Sequence, residues 1–384
     1  MDSKRQIIGI FEMTTSNALR YNSELLEITK NMHCEIKIYV DDSDDCETPY
    51  EVNSRRLWSI KRLKNEIKKL DLVLVNAQRI PDYLVIYAAN SVGVPVVYLM
   101  HGLYIPHMKR EIGFYLEKLG KSLRYLLYAC SLGFSLKSIS LTYKLISNFV
   151  VGYPSRNFIR RFSNLQVTTG YIWAEVWREW HEDKWSMRPH EGWKTIGNPD
   201  LTRFIWSSYK PNTVTYIYQT LIEDGRIDMN VMLNFYSNLK NVCNVNGLQV
   251  NVKWHPRGNI ELREVLINHG FSIFDDGSVP IGDVAIGHYS SLLGAFPLMS
   301  VPVVIVELPE HKTPVSILEI ASQIIGLDKF SETGIQLHES KTSKKVQEKS
   351  EKYFGAAPNL PQLEESIMAI LENGSDEKLR SGSR

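Results

Sequence analysis

The sequence predicts an α/β protein with two doubly wound, Rossmann-like domains and a basic helical insertion. The first observation is a series of strand-like apolar runs at Gln6–Phe11, Glu35–Val40, Leu70–Val75 and Val94–Leu99. The segments between these runs are long enough to form helices. Strands that alternate with crossover helices form a parallel sheet, so the first half of the chain is expected to be doubly wound.

The second observation is that this alternation starts again after the polar segment Ser207–Asn212, which is expected to be a hinge. Strand-like runs follow at Thr213–Tyr218, Leu248–Trp254, Phe271–Phe274, Val284–Gly287 and Val301–Glu307, with helical patterns at Met229–Val245 and near Leu262–Asn268. We therefore expect an N-terminal domain over residues 1–206 and a C-terminal domain over residues 213–340. A helical segment over 341–374 and a disordered tail over 375–384 complete the predicted organisation.

Composition narrows the class of protein. The chain has 384 residues, 43% of them hydrophobic, with a formal net charge of +1, which argues against a dedicated nucleic-acid binder. Its four cysteines are scattered without a paired spacing, as in a protein of a reducing compartment. No signal peptide and no run of roughly 20 apolar residues is present, so a cytoplasmic location is expected.

Several common cofactor motifs are missing from the sequence. It contains neither the phosphate-binding P-loop pattern nor the glycine pattern of dinucleotide-binding folds. The acidic run at 41–45 lacks the glycine and the distal glutamate of a calcium loop, and is expected to be a surface turn. We therefore expect no cofactor and a mechanism that does not use a metal.

Residues 107–162 form an unusual insertion in which ten basic residues stand against Glu111 and Glu117, interleaved with aromatic residues and leucines. This combination is typical of amphipathic helices on an anionic membrane surface, and it predicts a peripheral protein at the inner face of the plasma membrane. Two alternatives use the same charges. The segment could be a helical pair packed on the protein, or a groove for a polyanionic acceptor glycan.

A candidate catalytic residue lies at the end of the fourth run of the first series. His101, followed by Gly102, comes directly after the strand-like segment that ends at Met100. Ligands of doubly wound sheets bind at the carboxyl ends of the strands, and an exposed imidazole there has a pKa suited to removing a proton near neutrality. The alternative is a histidine that only caps a turn.

A candidate anion site lies in the second series. His255, Pro256 and Arg257 end one strand-like run, and His288 to Ser291 precede an apolar segment, Leu292–Met299, that is expected to be helical. Hydroxyl and N–H groups at a helix N-terminus bind anions, and a histidine and an arginine add positive charge. This pattern predicts a pocket for a phosphorylated leaving group, formed by His255, Arg257, Ser290 and Ser291. The serines could also cap the helix.

Further ligand-binding candidates follow the first strand of the second series, at Gln219, Thr220, Glu223 and Asp224. Their side chains could accept or donate hydrogen bonds to a ribose or a nucleobase. An acidic turn exposed to solvent is equally compatible with the pattern. His288, beside the serine pair, completes the set of nucleotide- or sugar-binding candidates.

The His-Pro at a strand end and the Ser-Ser before a helix resemble motifs of bacterial sialyltransferases and polysialyltransferases, and of related transferases of capsule and lipooligosaccharide assembly. The resemblance implies a GT-B glycosyltransferase, in which two Rossmann-like domains face each other across a cleft. The N-terminal domain would bind the acceptor and the C-terminal domain the donor nucleotide. In those families the histidine and the serines contact the donor phosphate, a role that would fall to His255, Ser290 and Ser291.

One departure leaves the donor open. Those sialyltransferases carry an acidic motif in the N-terminal domain, whereas this chain has His101-Gly102 at the matching strand end. In this respect it resembles the polyol-phosphate transferases of teichoic acid synthesis, which use a histidine there. The donor could be a CMP-linked acidic sugar, a CDP-linked polyol or another nucleotide sugar.

These observations favour an inverting, metal-independent glycosyltransferase that moves a sugar from a nucleotide donor to a bacterial surface glycan such as capsule, O-antigen or lipooligosaccharide. His101 would be the base, and His255 would act on the leaving phosphate. The alternatives are a CDP-polyol phosphotransferase of the teichoic-acid type and a non-catalytic glycan- or membrane-binding protein of the same fold.

Overall fold

The computed structural model describes residues 5–32, 34–102, 119–151, 157–309, 312–336 and 342–381. The chain divides into two compact units. The first comprises the described residues up to Gly102, those from 119 to Gly197 and those from Asn359 onward; the second is Asn198–Pro358. The boundary between the two units thus lies at Gly197, nine residues before the boundary expected at 206. The segment from Asn359 onward also belongs to the first unit.

The first unit has a seven-stranded parallel sheet in the order β3-β2-β1-β4-β5-β6-β7. Its strands are β1 (Gln6–Glu12), β2 (Cys34–Val40), β3 (Glu51–Ser54), β4 (Leu72–Val75), β5 (Val96–Leu99), β6 (Thr169–Ile172) and β7 (Trp193–Thr195). The four strands predicted in this half are confirmed as β1, β2, β4 and β5. The chain order reverses between β1 and β4, and ligands of doubly wound sheets bind at such a switch point.

Helices connect these strands. They are α1 (Thr15–Tyr21), α2 (Ser23–Thr29), α3 (Ile60–Ile67), α4 (Ile80–Asn90), α5 (Leu119–Ser135), α6 (Ile139–Val151) and α7 (Val176–Trp180). Helix α1 begins where the Thr14 side chain accepts the N–H of Asn17. Helix α4 begins at Ile80, where Pro81 has no N–H to satisfy and the carboxylate of Asp82 accepts the backbone N–H of Arg79.

The second unit has a six-stranded parallel sheet in the order β11-β10-β9-β13-β14-β15. Its strands are β9 (Thr213–Ile217), β10 (Gln249–Lys253), β11 (Ser272–Phe274), β13 (Val284–Gly287), β14 (Val303–Glu307) and β15 (Gln323–Gly326). The five predicted strands of this half are present. The chain order reverses between β9 and β13, which gives the second unit its own switch point.

The segment expected to be a hinge, Ser207–Asn212, overlaps a strand. β8 (Ile205–Tyr209) pairs in parallel with β12 (Ser278–Ile281) in a separate two-stranded sheet. The backbone hydrogen bonds of these polar residues are thus satisfied by a distant segment, a pairing that local composition does not show.

The helices of the second unit are α8 (Asp200–Arg203), α9 (Met229–Val245), α10 (Ile260–Asn268), α11 (Ala295–Leu298), α12 (Val315–Leu318), α13 (Phe330–Thr333) and α14 (Lys344–Phe354). The helix predicted over Leu292–Met299 is a short 3₁₀ turn, Ser291–Gly294, continued by α11. A β-carbon at position 294 would overlap the ring of Phe354, so Gly294 lets α14 pack closely.

The C-terminal helix α15 (Leu360–Ser381) belongs to the first unit. Leu363, Ile367 and Leu371 are at most 2% exposed and pack into the same apolar cluster as strands β1, β2 and β4. Two expectations are corrected here. The helical segment predicted over 341–374 is divided between the units, and the residues up to Ser381 of the predicted disordered tail are helical; residues 382–384 lie outside the described residues.

The predicted basic insertion contains two helices, α5 and α6, that pack against each other. Gly133 permits their close approach, because a side chain there would overlap the Thr142 hydroxyl. Residues 107–118 and 152–156 of the insertion lie outside the described residues. Within the described ranges, no helix is long and apolar enough to cross a membrane.

We expect Ile367→Ala to lower the free energy of unfolding by about 2–5 kcal/mol, because it leaves a cavity in the apolar cluster under the first sheet. Urea unfolding of the full chain measures this change. Glu365→Ala, on the exposed side of the same helix, should change it by less than about 0.5 kcal/mol. Equal stability of the two variants would contradict the packing of α15 on the first unit.

Candidate functional site

The chemistry-bearing residues of the first unit meet at the carboxyl edge of its sheet. Glu12 is the last residue of β1, Asn76 follows β4, and His101 follows β5 by two residues. These three strands, β1, β4 and β5, are adjacent in the sheet and span the β1–β4 switch point. His101 therefore lies at the carboxyl end of a strand, as predicted.

The ring of His101 is oriented by the backbone. Its Nδ1 lies 2.5 Å from the carbonyl oxygen of Asn76, and the ring of Tyr21 lies 4.2 Å away between centroids. A carbonyl can only accept, so Nδ1 carries the proton and Nε2 carries the lone pair of the neutral ring. Burial lowers the pKa of His101 below its ordinary value, although the nearby carboxylate of Glu12 acts in the opposite sense. At neutral pH the ring is therefore an uncharged proton acceptor.

A pair of buried amides holds that carbonyl in place. Asn22 and Asn76 exchange two side-chain hydrogen bonds, of 2.9 and 3.0 Å, and both residues are fully buried. Asn76 Nδ2 also donates to the carbonyl of Leu99, and Asn22 Nδ2 donates to that of Ala18. The peptide that accepts from His101 is thus tied to α1 and to β5.

Glu12 is fully buried and ionised. Arg79 donates to both of its oxygens, at 2.6 and 3.1 Å, and the N–H of Met13 donates at 2.7 Å. Burial by itself raises the pKa of Glu12, but the Arg79 guanidinium outweighs it and holds the pKa below its ordinary value. With its lone pairs committed to these donors, Glu12 positions Arg79 and is not a proton acceptor. Sequence analysis missed it; the available signal was an acidic residue that ends an apolar strand.

The charged network extends from Arg79 to two further carboxylates. Asp82 accepts from Arg79 at 2.8 Å and lies 3.8 Å from Arg55, which in turn donates to Asp41 at 2.7 Å. Asp41 is 2% exposed, so the first residue of the acidic run expected as a surface turn is instead buried. Three carboxylates thus share two guanidinium groups, an arrangement that satisfies buried charge by pairing.

In the second unit, hydrogen bonds join the loops that follow β9, β10 and β13. Arg257 Nη2 donates to Thr220 Oγ1 at 3.2 Å, and Gln219 Oε1 accepts the N–H of Tyr289 at 3.0 Å. The N–H of Arg257 donates to Nδ1 of His255 at 3.1 Å, so the neutral His255 ring carries its proton on Nε2. The structure therefore brings Gln219, Thr220, His255 and Arg257 to one sheet edge.

The two serines have different partners. Ser290 Oγ accepts the N–H of Leu292 and caps the following 3₁₀ turn, which is the capping role that sequence analysis kept open. Ser291 Oγ donates to Asp200 Oδ2 at 3.3 Å, and Asp200 forms an ion pair with Arg203. Both serines follow β13, next to the loop that contains Gln219.

Glu223 and Asp224, the acidic candidates in the loop after β9, form hydrogen bonds and an ion pair that hold this loop in place. One Glu223 oxygen accepts the Tyr218 hydroxyl at 2.8 Å and the N–H of Asn259 at 2.7 Å, which ties this loop to the one after β10. Asp224 accepts from Thr220 and lies 3.7 Å from Arg257. It balances part of the arginine's charge and restricts its position.

His288 is a core residue, which corrects its place among the ligand-binding candidates. It is fully buried, with Nδ1 2.8 Å from the carbonyl of Val306 and Nε2 3.2 Å from the Tyr216 hydroxyl. Its proximity to the serine pair in sequence does not bring it to the loop edge, because it directly follows the buried strand β13.

The chain is similar to a known protein family. Residues 47–285, more than half of the chain, match the family model described as Alpha-2,8-polysialyltransferase (POLYST). No curated protein matches the chain.

Solved structures with the same fold include a variant of the wall teichoic acid polymerase TagF with CDPG, at 14% identity and a TM-score of 0.54, covering 97% of this chain and 89% of that chain. Another TagF structure has 13% identity and a TM-score of 0.52, covering 98% of this chain and 90% of that chain. An S. aureus MnaA structure with UDP has 11% identity and a TM-score of 0.49, with coverage of 96% and 97%. The TagF likeness and the two parallel sheets confirm the predicted fold class, two Rossmann-like domains of the GT-B type.

We expect Asn22→Ala to lower the free energy of unfolding by about 1–3 kcal/mol, because it leaves the buried amide of Asn76 without its partner. Denaturant unfolding of the full chain provides the measurement. Asn65→Ala, at an exposed position of α3, is the matched control and should be near neutral. An Asn22→Ala variant as stable as the control would show that the amide pair does not hold the Asn76 peptide.

Proposed function

This chain belongs to the alpha-2,8-polysialyltransferase family and is a glycosyltransferase that uses a nucleotide donor, and we propose that it transfers the acidic sugar of a CMP-linked donor to an acidic glycan of the bacterial surface, with CMP as the leaving group. We propose that the transfer inverts the anomeric centre and needs no metal. The observation that carries this proposal is the His101 ring, which is neutral and has its lone pair on Nε2.

His101 is the proposed base. Nε2 would take the proton of the acceptor hydroxyl while that oxygen attacks the anomeric carbon from the face opposite the departing phosphate. The new carbon–oxygen bond forms as the bond to the phosphate oxygen breaks, which inverts the configuration. The Asn76 carbonyl stabilises the positively charged ring that results, since it accepts the hydrogen bond from Nδ1–H throughout.

His255, Arg257, Ser290 and Ser291 are the proposed phosphate-binding residues. The Nε2–H of His255 is a donor, and the Arg257 side chain is two-thirds exposed, so its guanidinium reaches solvent at the loop edge. These groups would stabilise the negative charge that develops on the leaving CMP. Gln219 and Thr220 belong to the adjoining loop and are proposed to contact the nucleotide, with Glu223 and Asp224 holding that loop in shape.

A second candidate function is a polyol-phosphate transferase with a CDP-linked donor. The observation that favours it is His101-Gly102 at the end of β5, together with the TagF structures, one of which contains CDPG. Such an enzyme incorporates phosphorus into its product, and a glycosyltransferase does not. Phosphorus analysis of the product therefore separates the two functions.

We also propose that the enzyme acts as a peripheral protein at the inner face of the plasma membrane, on capsule, O-antigen or lipooligosaccharide precursors. Support comes from the described part of the basic insertion, which contains Lys121, Arg124, Lys137 and Lys144 and no acidic residue between 119 and 151. A basic helical surface is attracted to anionic lipid headgroups.

The proposed base makes the rate depend on pH. Because burial lowers the pKa of His101, kcat/KM for transfer should be level above about pH 6.5 and fall only as pH decreases through that lowered pKa. His101→Ala should reduce kcat by about 10²–10⁴-fold and leave donor affinity unchanged. His190→Ala, an exposed histidine of the same unit, is the control and should keep the wild-type rate. Near wild-type transfer by His101→Ala would exclude it as the base.

Donor binding tests the second unit. His255→Ala and Arg257→Ala should each weaken CMP binding by about thirtyfold in calorimetry, equivalent to about 2 kcal/mol for a charge-assisted hydrogen bond to phosphate. Lys329→Ala, an exposed cation in the same unit, should bind normally. Added EDTA should not change the affinity. Binding of CMP that is unaffected by both site variants would contradict this assignment.

A further inference from the structure

Helix α5 exposes a continuous apolar stripe. Five large apolar side chains are 40–88% exposed, namely Leu119, Leu123, Leu126, Leu127 and Phe134. Their spacing of three, four, seven and eight residues places them on one side of the helix. A contiguous exposed apolar stripe on a folded protein marks an interaction surface.

The opposite side of α5 is anchored. Arg124 Nη2 lies 2.7 Å from Asp42, and the Tyr128 hydroxyl donates to Asp41 at 3.2 Å and accepts the N–H of Leu57 at 3.1 Å. These polar contacts would be broken if α5 rotated to bury the exposed leucines. The apolar stripe is therefore held outward by the same network that ends at Glu12 and Arg79.

The next helix extends this surface at the turn between the two helices. Ile139 is 89% exposed and Tyr143 is 72% exposed on α6. Phe134 and Ile139 lie on either side of the turn that contains Lys137, which adopts a left-handed conformation with φ of 50°. We call these seven exposed side chains of α5 and α6 the hairpin face.

Charge identifies the partner. Lys121, Lys137 and Lys144 are exposed, Arg124 is buried, and residues 119–151 contain no aspartate or glutamate. A second copy of the chain is disfavoured, because a two-fold symmetric contact would bring these basic groups against themselves. A soluble acidic glycan would pair with the lysines but would leave the apolar stripe in water.

We propose that the hairpin face docks on a lipid bilayer with anionic headgroups. The leucines, Phe134 and Ile139 enter the boundary between headgroups and acyl chains, and the lysines contact lipid phosphates. This inference rests on the proposed location at the membrane and deepens it by naming the surface and its partner. Because α5 is bonded to the strand-end network of the first unit, docking would hold the edge that carries His101 near the lipid surface.

Flotation of the full chain with vesicles tests the proposal, without donor or acceptor. The vesicles contain phosphatidylcholine alone, or phosphatidylcholine with an equal part of phosphatidylglycerol. We expect binding to the mixed vesicles, weakened by salt, and little binding to phosphatidylcholine. Phe134→Ser with Ile139→Ser should reduce binding at least tenfold, whereas Val245→Ser, which removes an equally exposed residue elsewhere, should not.

The charge contribution has its own matched pair of variants. Lys121→Gln, Lys137→Gln and Lys144→Gln together should reduce binding about a hundredfold, since each basic residue near an anionic surface contributes about 1 kcal/mol. Lys61→Gln, Lys68→Gln and Lys69→Gln, an equal change of charge around α3, should retain binding. Circular dichroism checks that each variant is folded.

Several outcomes would overturn the proposal. These are wild-type protein that does not float with the mixed vesicles, hairpin-face variants that bind like their controls, and a concentration-dependent dimer in light scattering that Phe134→Ser with Ile139→Ser abolishes without affecting flotation. Transfer to a short soluble acceptor is measured in parallel. If the wild type does not transfer to this acceptor, the proposed function is refuted, whatever the vesicle result. If the hairpin-face variants still transfer but no longer float, membrane docking is a separate property, as proposed.

Discussion

The ion pair between Glu12 and Arg79 is the constraint on which the organisation of the first unit depends. A fully buried carboxylate is stable only when its charge is paired and its lone pairs are bonded, and Arg79 and the N–H of Met13 meet both conditions. Arg79 is also bonded to Asp82, three residues further along at the start of α4. The pair therefore joins the end of β1 to the start of the helix that follows β4, across the switch point of the sheet.

Backbone groups give the two candidate histidines opposite roles. Nδ1 of His101 donates to a carbonyl and Nδ1 of His255 accepts an N–H, so the proton of the neutral ring resides on Nδ1 in His101 and on Nε2 in His255. An imidazole with a lone pair on Nε2 can accept a proton, whereas one with an Nε2–H can donate to a phosphate oxygen. These backbone neighbours support the two proposed roles, His101 as the base and His255 as a hydrogen-bond donor to the leaving phosphate.

Helix α5 links the charged network to the protein surface. Its residues Arg124 and Tyr128 close the network around Asp41, and four of its five leucines face outward. The inner side of α5 is also partly apolar, since Tyr125, Ala129 and Leu132 are at most 8% exposed. The helix therefore has apolar residues on both sides, and the polar contacts of Arg124 and Tyr128 fix which side faces outward.

The sequence by itself determined the α/β class and the predicted strands, because alternating apolar runs have few other ways to be buried. It also placed His101, His255 and the serine pair at carboxyl strand ends, since each directly follows a strand-like run. Only the tertiary structure decided which groups meet. Glu12 and Arg79 are 67 positions apart, Asp41 is buried by Arg55, and His288 belongs to the core although it precedes the serines. The C-terminal helix likewise joins the first unit through Ile367 and its apolar neighbours. Pairing of buried charges and burial of one helix face are satisfied by residues distant in the chain, so local patterns do not encode them.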